Sequence, residues 1–133
     1  MLKGSCLCQS VQYEIDSELG PTMICHCENC RKASGSAYAI NAAVDSNKFH
    51  LNTGEKAIAE YESSPGVFRV FCQHCGSQLY SKRSTMPEII RLRLGTLDTA
   101  VDIKPQAHIF VSSKAAWHQI CDEIEIPQFA ERP

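Results

Sequence analysis

Seven of the eight cysteines fall into three short motifs, and these thiols are the residues most able to do chemistry in the chain. The motifs are a C-x-C with Cys6 and Cys8, a C-x-C-x-x-C with Cys25, Cys27 and Cys30, and a C-x-x-C with Cys72 and Cys75. Such clusters form disulfides in secreted proteins and hold metals or act as catalytic thiols in a reducing compartment. The spacing therefore has to be weighed together with the compartment.

Features of the whole chain favour metal ligation over disulfides. The N-terminal stretch MLKGSCLCQS lacks the apolar segment of a secretory signal, so we expect a cytoplasmic protein. Cysteines spaced at i+2 and i+3 rarely bridge one another in a simple framework. The longest mostly apolar run, AYAINAAV, is also too short to cross a bilayer, so no membrane association is expected.

Two of the motifs together supply four thiolates, which would close a tetrahedral zinc site, although spacing alone allows other pairings among the seven cysteines. Residues i and i+2 of a strand share a face, so Cys6 and Cys8 are predicted to reach one ion from a strand. Cys72 and Cys75, followed by Gly76, have the pattern of a zinc knuckle. A closed site of this kind is structural, and in small zinc domains it contributes on the order of 10 kcal/mol to folding.

The remaining motif offers three ligands, which is the arrangement of a catalytic zinc with one open position. The C-x-C part suits one face of a strand, and the added x-x-C suits a turn just after it. An alternative is that His26, His74 or Cys121 supplies a fourth ligand and makes this site structural too. Cys121 stands alone among apolar residues and is expected to be a buried core thiol.

Charge provides a second constraint on the site and its partners. Three or four thiolates leave zinc with a net negative charge, so nearby Arg31 or Arg69 could stabilise it, whereas Lys32 is expected to be solvated. The chain has 13 basic and 15 acidic residues and no basic run, which argues against a nucleic-acid partner.

The sequence predicts that mainly short strands carry these residues. Its length predicts one domain of residues 1–133. Alternating or apolar runs bounded by turn residues predict strands. The predicted strands are residues 11–15, 37–44, 67–71, 89–94 and 108–111. A serine-capped helix is predicted over residues 112–120. The result is a mostly β domain.

Five segments, in this order, resemble the glutathione-dependent formaldehyde-activating enzyme family, which includes a vertebrate centromere-protein branch. They are GSCLCQSVQYEI, CHCENCRKASGSAY, FRVFCQHCGSQL, RLGTLD and the terminal HIFVSSKAAWHQI with PQF. The resemblance covers residues 4 to about 129. One departure is visible: the family usually has glycine after the first C-x-C, and here Gln9 stands there, so a different local backbone geometry is expected.

The resemblance implies an all-β fold of several small antiparallel sheets, like a β-tent, stapled by two zinc ions. By motif position, it assigns the structural zinc to Cys6, Cys8, Cys72 and Cys75. It assigns the catalytic zinc to Cys25, Cys27 and Cys30. The reaction it implies condenses glutathione with formaldehyde to S-(hydroxymethyl)glutathione, a carbon–sulfur lyase reaction in reverse.

The chemistry of that reaction leaves the proton donor open. His26, His50, His108 and His118 all qualify by residue type, and none is assigned. Another small thiol or adduct would fit the same site. A non-catalytic zinc domain that binds a partner is the second hypothesis, and it requires a fourth ligand at the three-cysteine site. A thiol redox protein is disfavoured because C-x-x-C lacks its βαβ context.

Overall fold

The computed structural model describes residues 1–133 and consists mainly of strands, with 42% of residues in strands and 12% in helices, which confirms the all-β prediction. No helix has the length and apolar character needed to cross a membrane. The strands are β1 (Leu2–Ser5), β2 (Gln12–Ile15), β3 (Thr22–Cys25), β4 (Ala39–Asp45), β5 (Phe49–Thr53), β6 (Ile58–Ser64), β7 (Val67–Cys72), β8 (Gln78–Arg83), β9 (Met86–Arg93) and β10 (Ala107–Ile109). The only α-helix is α1 (Glu28–Ser34), and 3₁₀ turns cover Ser46–Lys48, Leu94–Thr96 and Val111–Ser113.

The strands form two sheets rather than a barrel. A three-stranded sheet has the order β1-β2-β5, and a seven-stranded sheet has the order β10-β3-β4-β9-β8-β7-β6. Every pairing is antiparallel except that of β10 with β3. That parallel pairing brings the C-terminal part of the chain alongside the strand that leads into the three-cysteine motif.

The core lies between the two sheets, and its composition follows from the alternation of side chains along each strand. Tyr13 and Ile15 of β2 pack in the same buried cluster as Ile90 and Leu92 of β9. Because successive residues of β9 point to opposite faces, residues 91 and 93 lie on the other face of the large sheet. Both of these are arginines, so the face opposite the core is polar.

The predicted strands all overlap observed ones. The helix prediction was wrong, because the predicted helix is absent and the observed helix was not predicted. Residues 112–120 form no α-helix, and only the 3₁₀ turn Val111–Ser113 is helical in this stretch. The backbone N–H groups of Val111 and Ser112 donate to the carbonyls of Phe129 and Ala130, so the C-terminal segment is bonded to the start of this stretch.

The single α-helix instead follows the three-cysteine motif, where a turn was predicted. Cys27 is its N-cap and accepts a hydrogen bond from the Cys30 N–H. Gly35 ends it with φ 66°, and its N–H donates to the Arg31 carbonyl. Glycine suits this left-handed position because it has no Cβ to clash.

The backbone conformation of Gln9 differs from the one that the sequence predicted. The expectation was a changed backbone conformation, yet Gln9 has φ 69°, in the left-handed region that favours glycine. Its N–H donates to the Cys6 carbonyl at 3.1 Å, within the turn that presents Cys6 and Cys8. The turn is therefore kept, and the glutamine side chain is accommodated at a steric cost.

We expect Gln9→Gly to raise the free energy of unfolding by about 1 kcal/mol, because glycine relieves the left-handed strain. Urea denaturation at matched metal content measures this. The matched control is Gln12→Gly in β2, where extended backbone offers no strain to relieve and the change should destabilise by about 0.5–1 kcal/mol. Equal destabilisation by both substitutions would contradict the strain at Gln9.

Candidate functional site

The first cysteine cluster joins the N-terminal turn to the hairpin between β7 and β8. The Sγ atoms of Cys6, Cys8, Cys72 and Cys75 all lie within 4.8 Å of one another. The prediction that Cys6 and Cys8 present their thiols from a strand was wrong, because β1 ends at Ser5. A turn holds them instead, closed by hydrogen bonding of the Cys6 N–H to the Val11 carbonyl at 3.0 Å.

The sulfur spacings of this cluster match a tetrahedral zinc site. Four sulfurs at about 2.3 Å from a central Zn²⁺ are about 3.8 Å from one another. The Sγ–Sγ distances are 3.6 Å for Cys6–Cys8 and 3.8 Å for Cys8–Cys72. Hydrogen bonding to Ser77 lowers the pKa of Cys75 to about 5, so this thiol ionises readily. The four residues can therefore hold a metal ion without rearrangement.

The second cluster contains Cys25, Cys27 and Cys30, whose Sγ atoms also lie within 4.8 Å of one another. Cys25 is the last residue of β3, Cys27 caps α1, and Cys30 lies in the first turn of that helix. The prediction that Cys25 and Cys27 share a strand was wrong, because β3 ends at Cys25. A helix rather than the predicted turn then carries Cys30. Cys25 and Cys30 are buried and Cys27 is half-buried, so Cys27 is the most accessible of the three.

None of the residues considered as a fourth ligand joins the second cluster. His26 points to another histidine, His74 is exposed in the β7–β8 hairpin, and the metal-ligating group contains only the three cysteines. Cys121 is exposed, so the expectation of a buried core thiol was wrong. The C-terminal segment that carries it folds over the surface rather than into the apolar core.

Positive charge lies directly against the second cluster. The two terminal nitrogens of Arg69 are 3.7 and 3.9 Å from the Cys30 Sγ. Hydrogen bonds from Cys25 and Cys27, together with Arg93 and Arg69, lower the pKa of Cys30 to about 2. The surroundings of Cys30 therefore favour its thiolate form.

The three basic residues singled out in the sequence differ in what they contact. Arg69 reaches Cys30, as described. Arg31 lies in the last turn of α1, and its Nε is buried without a hydrogen-bond partner. Lys32 is exposed and pairs with Glu28 at 3.3 Å, one helical turn away, which agrees with a solvated surface residue.

Three histidines, His26, His108 and His118, form a cluster that includes the residue between Cys25 and Cys27. The Nε2 of His26 is 2.8 Å from the Nδ1 of His108, whose Nε2 is 2.9 Å from a carboxylate oxygen of Asp122. The His118 ring stacks on His26 with centroids 5.8 Å apart. His50, the fourth candidate, is exposed on β5 in the other sheet.

The sequence did not predict a role for Asp122, because it lies 14 residues from His108 in an acidic stretch that is typical of an exposed surface. Burial, followed by repulsion from His108 and His118, lowers the pKa of His26 to about 4, so its ring is neutral at neutral pH. Its Nδ1 is buried without a partner. The cluster thus contains one buried imidazole nitrogen without a hydrogen-bond partner.

An open cavity of about 620 Å³ is lined by residues that neighbour both cysteine sites, although no cysteine lines it. Ala39, which packs against Cys25 and Cys30, is part of its wall, and so are Gly76 and Ser77 beside Cys75. Arg93 is the one charged residue in its lining. The cavity falls within the usual size range for small-molecule sites.

Comparisons with known proteins agree with this architecture. Residues 1–113 match the family described as glutathione-dependent formaldehyde-activating enzyme. An uncharacterized lyase of Schizosaccharomyces pombe is 30% identical over 78 residues, covering 59% of this chain and 55% of that protein. The match thus spans about half the length of that relative. A crystal structure of a Rhodobacter sphaeroides protein superposes with a TM-score of 0.63 at 22% identity, covering 95% of this chain and 98% of the other. This last likeness shows a shared fold.

We expect Cys72→Ser to lower the unfolding temperature strongly and to remove one equivalent of bound Zn²⁺, because a buried ligand of the first cluster is lost. Cys121→Ser, at an exposed thiol outside both clusters, is the control and should change neither quantity. Thermal denaturation and metal analysis of the zinc-loaded proteins provide the measurement. A Cys72→Ser protein with unchanged zinc content would contradict the first site.

Proposed function

The chain belongs to the glutathione-dependent formaldehyde-activating enzyme family, and on that premise we propose that it is a zinc-dependent enzyme of the carbon–sulfur lyase type. Its proposed reaction joins glutathione and formaldehyde into S-(hydroxymethyl)glutathione, or cleaves such an adduct. We propose that residues 1–133 act as one zinc-binding domain in the cytoplasm. The S. pombe relative with a lyase name supports the reaction class.

The two cysteine clusters have different proposed roles. Cys6, Cys8, Cys72 and Cys75 would hold a structural zinc, since four thiolates leave no position for a substrate. Cys25, Cys27 and Cys30 would hold a second, catalytic zinc. A zinc ion bound there would supply Lewis acidity that favours the thiolate form of a coordinated thiol.

The proposed reaction adds the thiol S–H across the carbonyl of formaldehyde. A carbon–sulfur bond forms, the π electrons of the C=O bond move to oxygen, and that oxygen takes up a proton. The Arg69 guanidinium, against Cys30, stabilises the negative charge that collects in the cluster. Cys25 and Cys30 are buried, which limits the access of water to their own sulfur atoms.

The observation that carries the proposal is the ligand count of the second cluster. Three cysteine sulfurs converge there, and no histidine, carboxylate or further cysteine joins them. A zinc site with three protein ligands is typical of catalysis, whereas structural sites have four. A purely structural interaction module, the alternative function, would need a fourth protein ligand at this position.

We expect Cys27→Ser to reduce formaldehyde turnover with glutathione to the uncatalysed rate while one equivalent of Zn²⁺ is retained. Serine is among the preferred N-cap residues, so α1 should keep its cap and the fold should persist. Enzyme kinetics, zinc analysis and circular dichroism of the same preparation test this.

Cys121→Ser is the matched control for removing a thiol and should retain full turnover and two equivalents of zinc. A Cys27→Ser protein that still binds two zinc ions would contradict the assignment of Cys27 as a ligand. Full turnover by a one-zinc Cys27→Ser protein would contradict the catalytic role of the second site.

A further inference from the structure

The face of the large sheet opposite the core carries four arginines on three neighbouring strands. Arg91 and Arg93 are two residues apart on β9 and therefore share a face. Arg91 pairs with Ser81 of β8, which in turn pairs with Arg69 of β7. Arg83, two residues after Ser81, points to the same side. We call Arg69, Arg83, Arg91 and Arg93 the arginine face.

The arginine face lies against the three-cysteine cluster. Arg69 contacts the Cys30 Sγ, and Arg93 lies close enough to all three thiols to interact with them electrostatically. Arg83 interacts in the same way with Cys25 and Cys27. A ligand whose sulfur sits at the cluster would therefore lie beside the arginine face.

These arginines have no carboxylate partner in the protein. The four ion pairs of the structure involve Lys3, Lys32, Lys82 and His108, and no arginine. Arg83 makes no side-chain hydrogen bond, and Arg91 makes one long contact with the Met86 sulfur. Fifteen acidic residues are present in the chain, so the absence of pairing reflects their placement rather than their number.

The charge of this region is unbalanced even when the cluster is counted. Zinc with three thiolates carries −1, so the four arginines leave a formal charge of about +3. Burial lowers the pKa of Arg83, Arg91 and Arg93, and repulsion from Arg132 lowers that of Arg83 and Arg91 further. The Cys30 thiolate opposes this shift at Arg93. Buried or half-buried guanidinium groups are usually compensated by an anion.

We propose that the arginine face is the binding site for the carboxylate groups of the thiol substrate, so that the enzyme selects anionic thiols over neutral ones. This inference rests on the proposed function, because it takes the three-cysteine cluster as the site of the substrate sulfur. Guanidinium groups bind carboxylates through paired, charge-assisted hydrogen bonds.

The dimensions of the face suit a tripeptide thiol with a carboxylate towards each end. Arg91 and Arg93 are separated by two residues of strand, about 6.7 Å, and Arg69 lies two strands from Arg91, about 10 Å. An extended tripeptide is about 10 Å long. The cavity that Arg93 lines adds room beside the cluster.

The test compares the binding of glutathione with that of its diethyl ester, in which both carboxylates are neutral. Calorimetry on the two-zinc protein should show about 100-fold tighter binding of glutathione, or about 10-fold for each carboxylate. Arg83→Gln and Arg91→Gln, at half-buried positions, should each narrow this preference about 10-fold. Arg91→Lys keeps the charge without the paired donors and should retain part of the preference.

Lys82→Gln is the matched control, because it removes one positive charge from the same strand between Ser81 and Arg83, on the opposite face. It should leave the preference unchanged. Equal affinity of the wild-type protein for glutathione and its diester would overturn the proposal. If Lys82→Gln lowered the preference for glutathione over its diester as much as the arginine substitutions do, net charge alone would explain the preference. That result would also overturn the proposal.

Turnover measured in parallel separates this inference from the proposed function. Arginine-dependent glutathione binding without formaldehyde turnover would contradict the reaction and support the carboxylate site. Turnover with glutathione that is insensitive to both arginine substitutions would support the reaction and overturn the carboxylate site. Zinc content and circular dichroism of each variant confirm that comparisons are made between folded proteins.

Discussion

The close approach of three thiols in the second cluster is the constraint on which the rest of the site depends. Sulfurs within 4.8 Å of one another cannot all ionise unless positive charge is supplied. Arg69 supplies part of it by direct contact with Cys30, and a bound zinc ion would supply the remainder. The strand β3 and the helix α1 place the three sulfurs, and the strands β7 and β9 place Arg69 and Arg93 on the face beside them.

The strand content of the fold could be predicted because alternation of apolar and polar residues is a local signal. It located β2 and β9 to within a few residues. The helix was misplaced because its determinants are not periodic. A cysteine cap and a terminal glycine define α1, while the backbone N–H groups of Val111 and Ser112 pair with residues near 130, which are distant in sequence.

Spacing predicted that the seven cysteines are ligands, and the family resemblance predicted how they divide; the structure brings the same two groups together. The residues that surround the three-cysteine cluster could not be predicted in this way. Asp122 reaches His108 through the packing of the C-terminal segment, and the arginine face arises from cross-strand register between β7, β8 and β9. Such proximities depend on pairing between distant segments, which one sequence does not encode in any local pattern. The left-handed backbone of Gln9 is similar, since glutamine itself predicts no such geometry.

The central claim is that the three-cysteine cluster leaves one zinc position for the sulfur of the substrate. X-ray absorption at the zinc edge of the two-zinc protein, with and without glutathione, measures the sulfur ligands directly. One four-sulfur and one three-sulfur site average about 3.5 sulfur ligands per zinc. We expect this average to rise to about 4 when glutathione binds. Four sulfurs per zinc before glutathione is added, with no change afterwards, would contradict it.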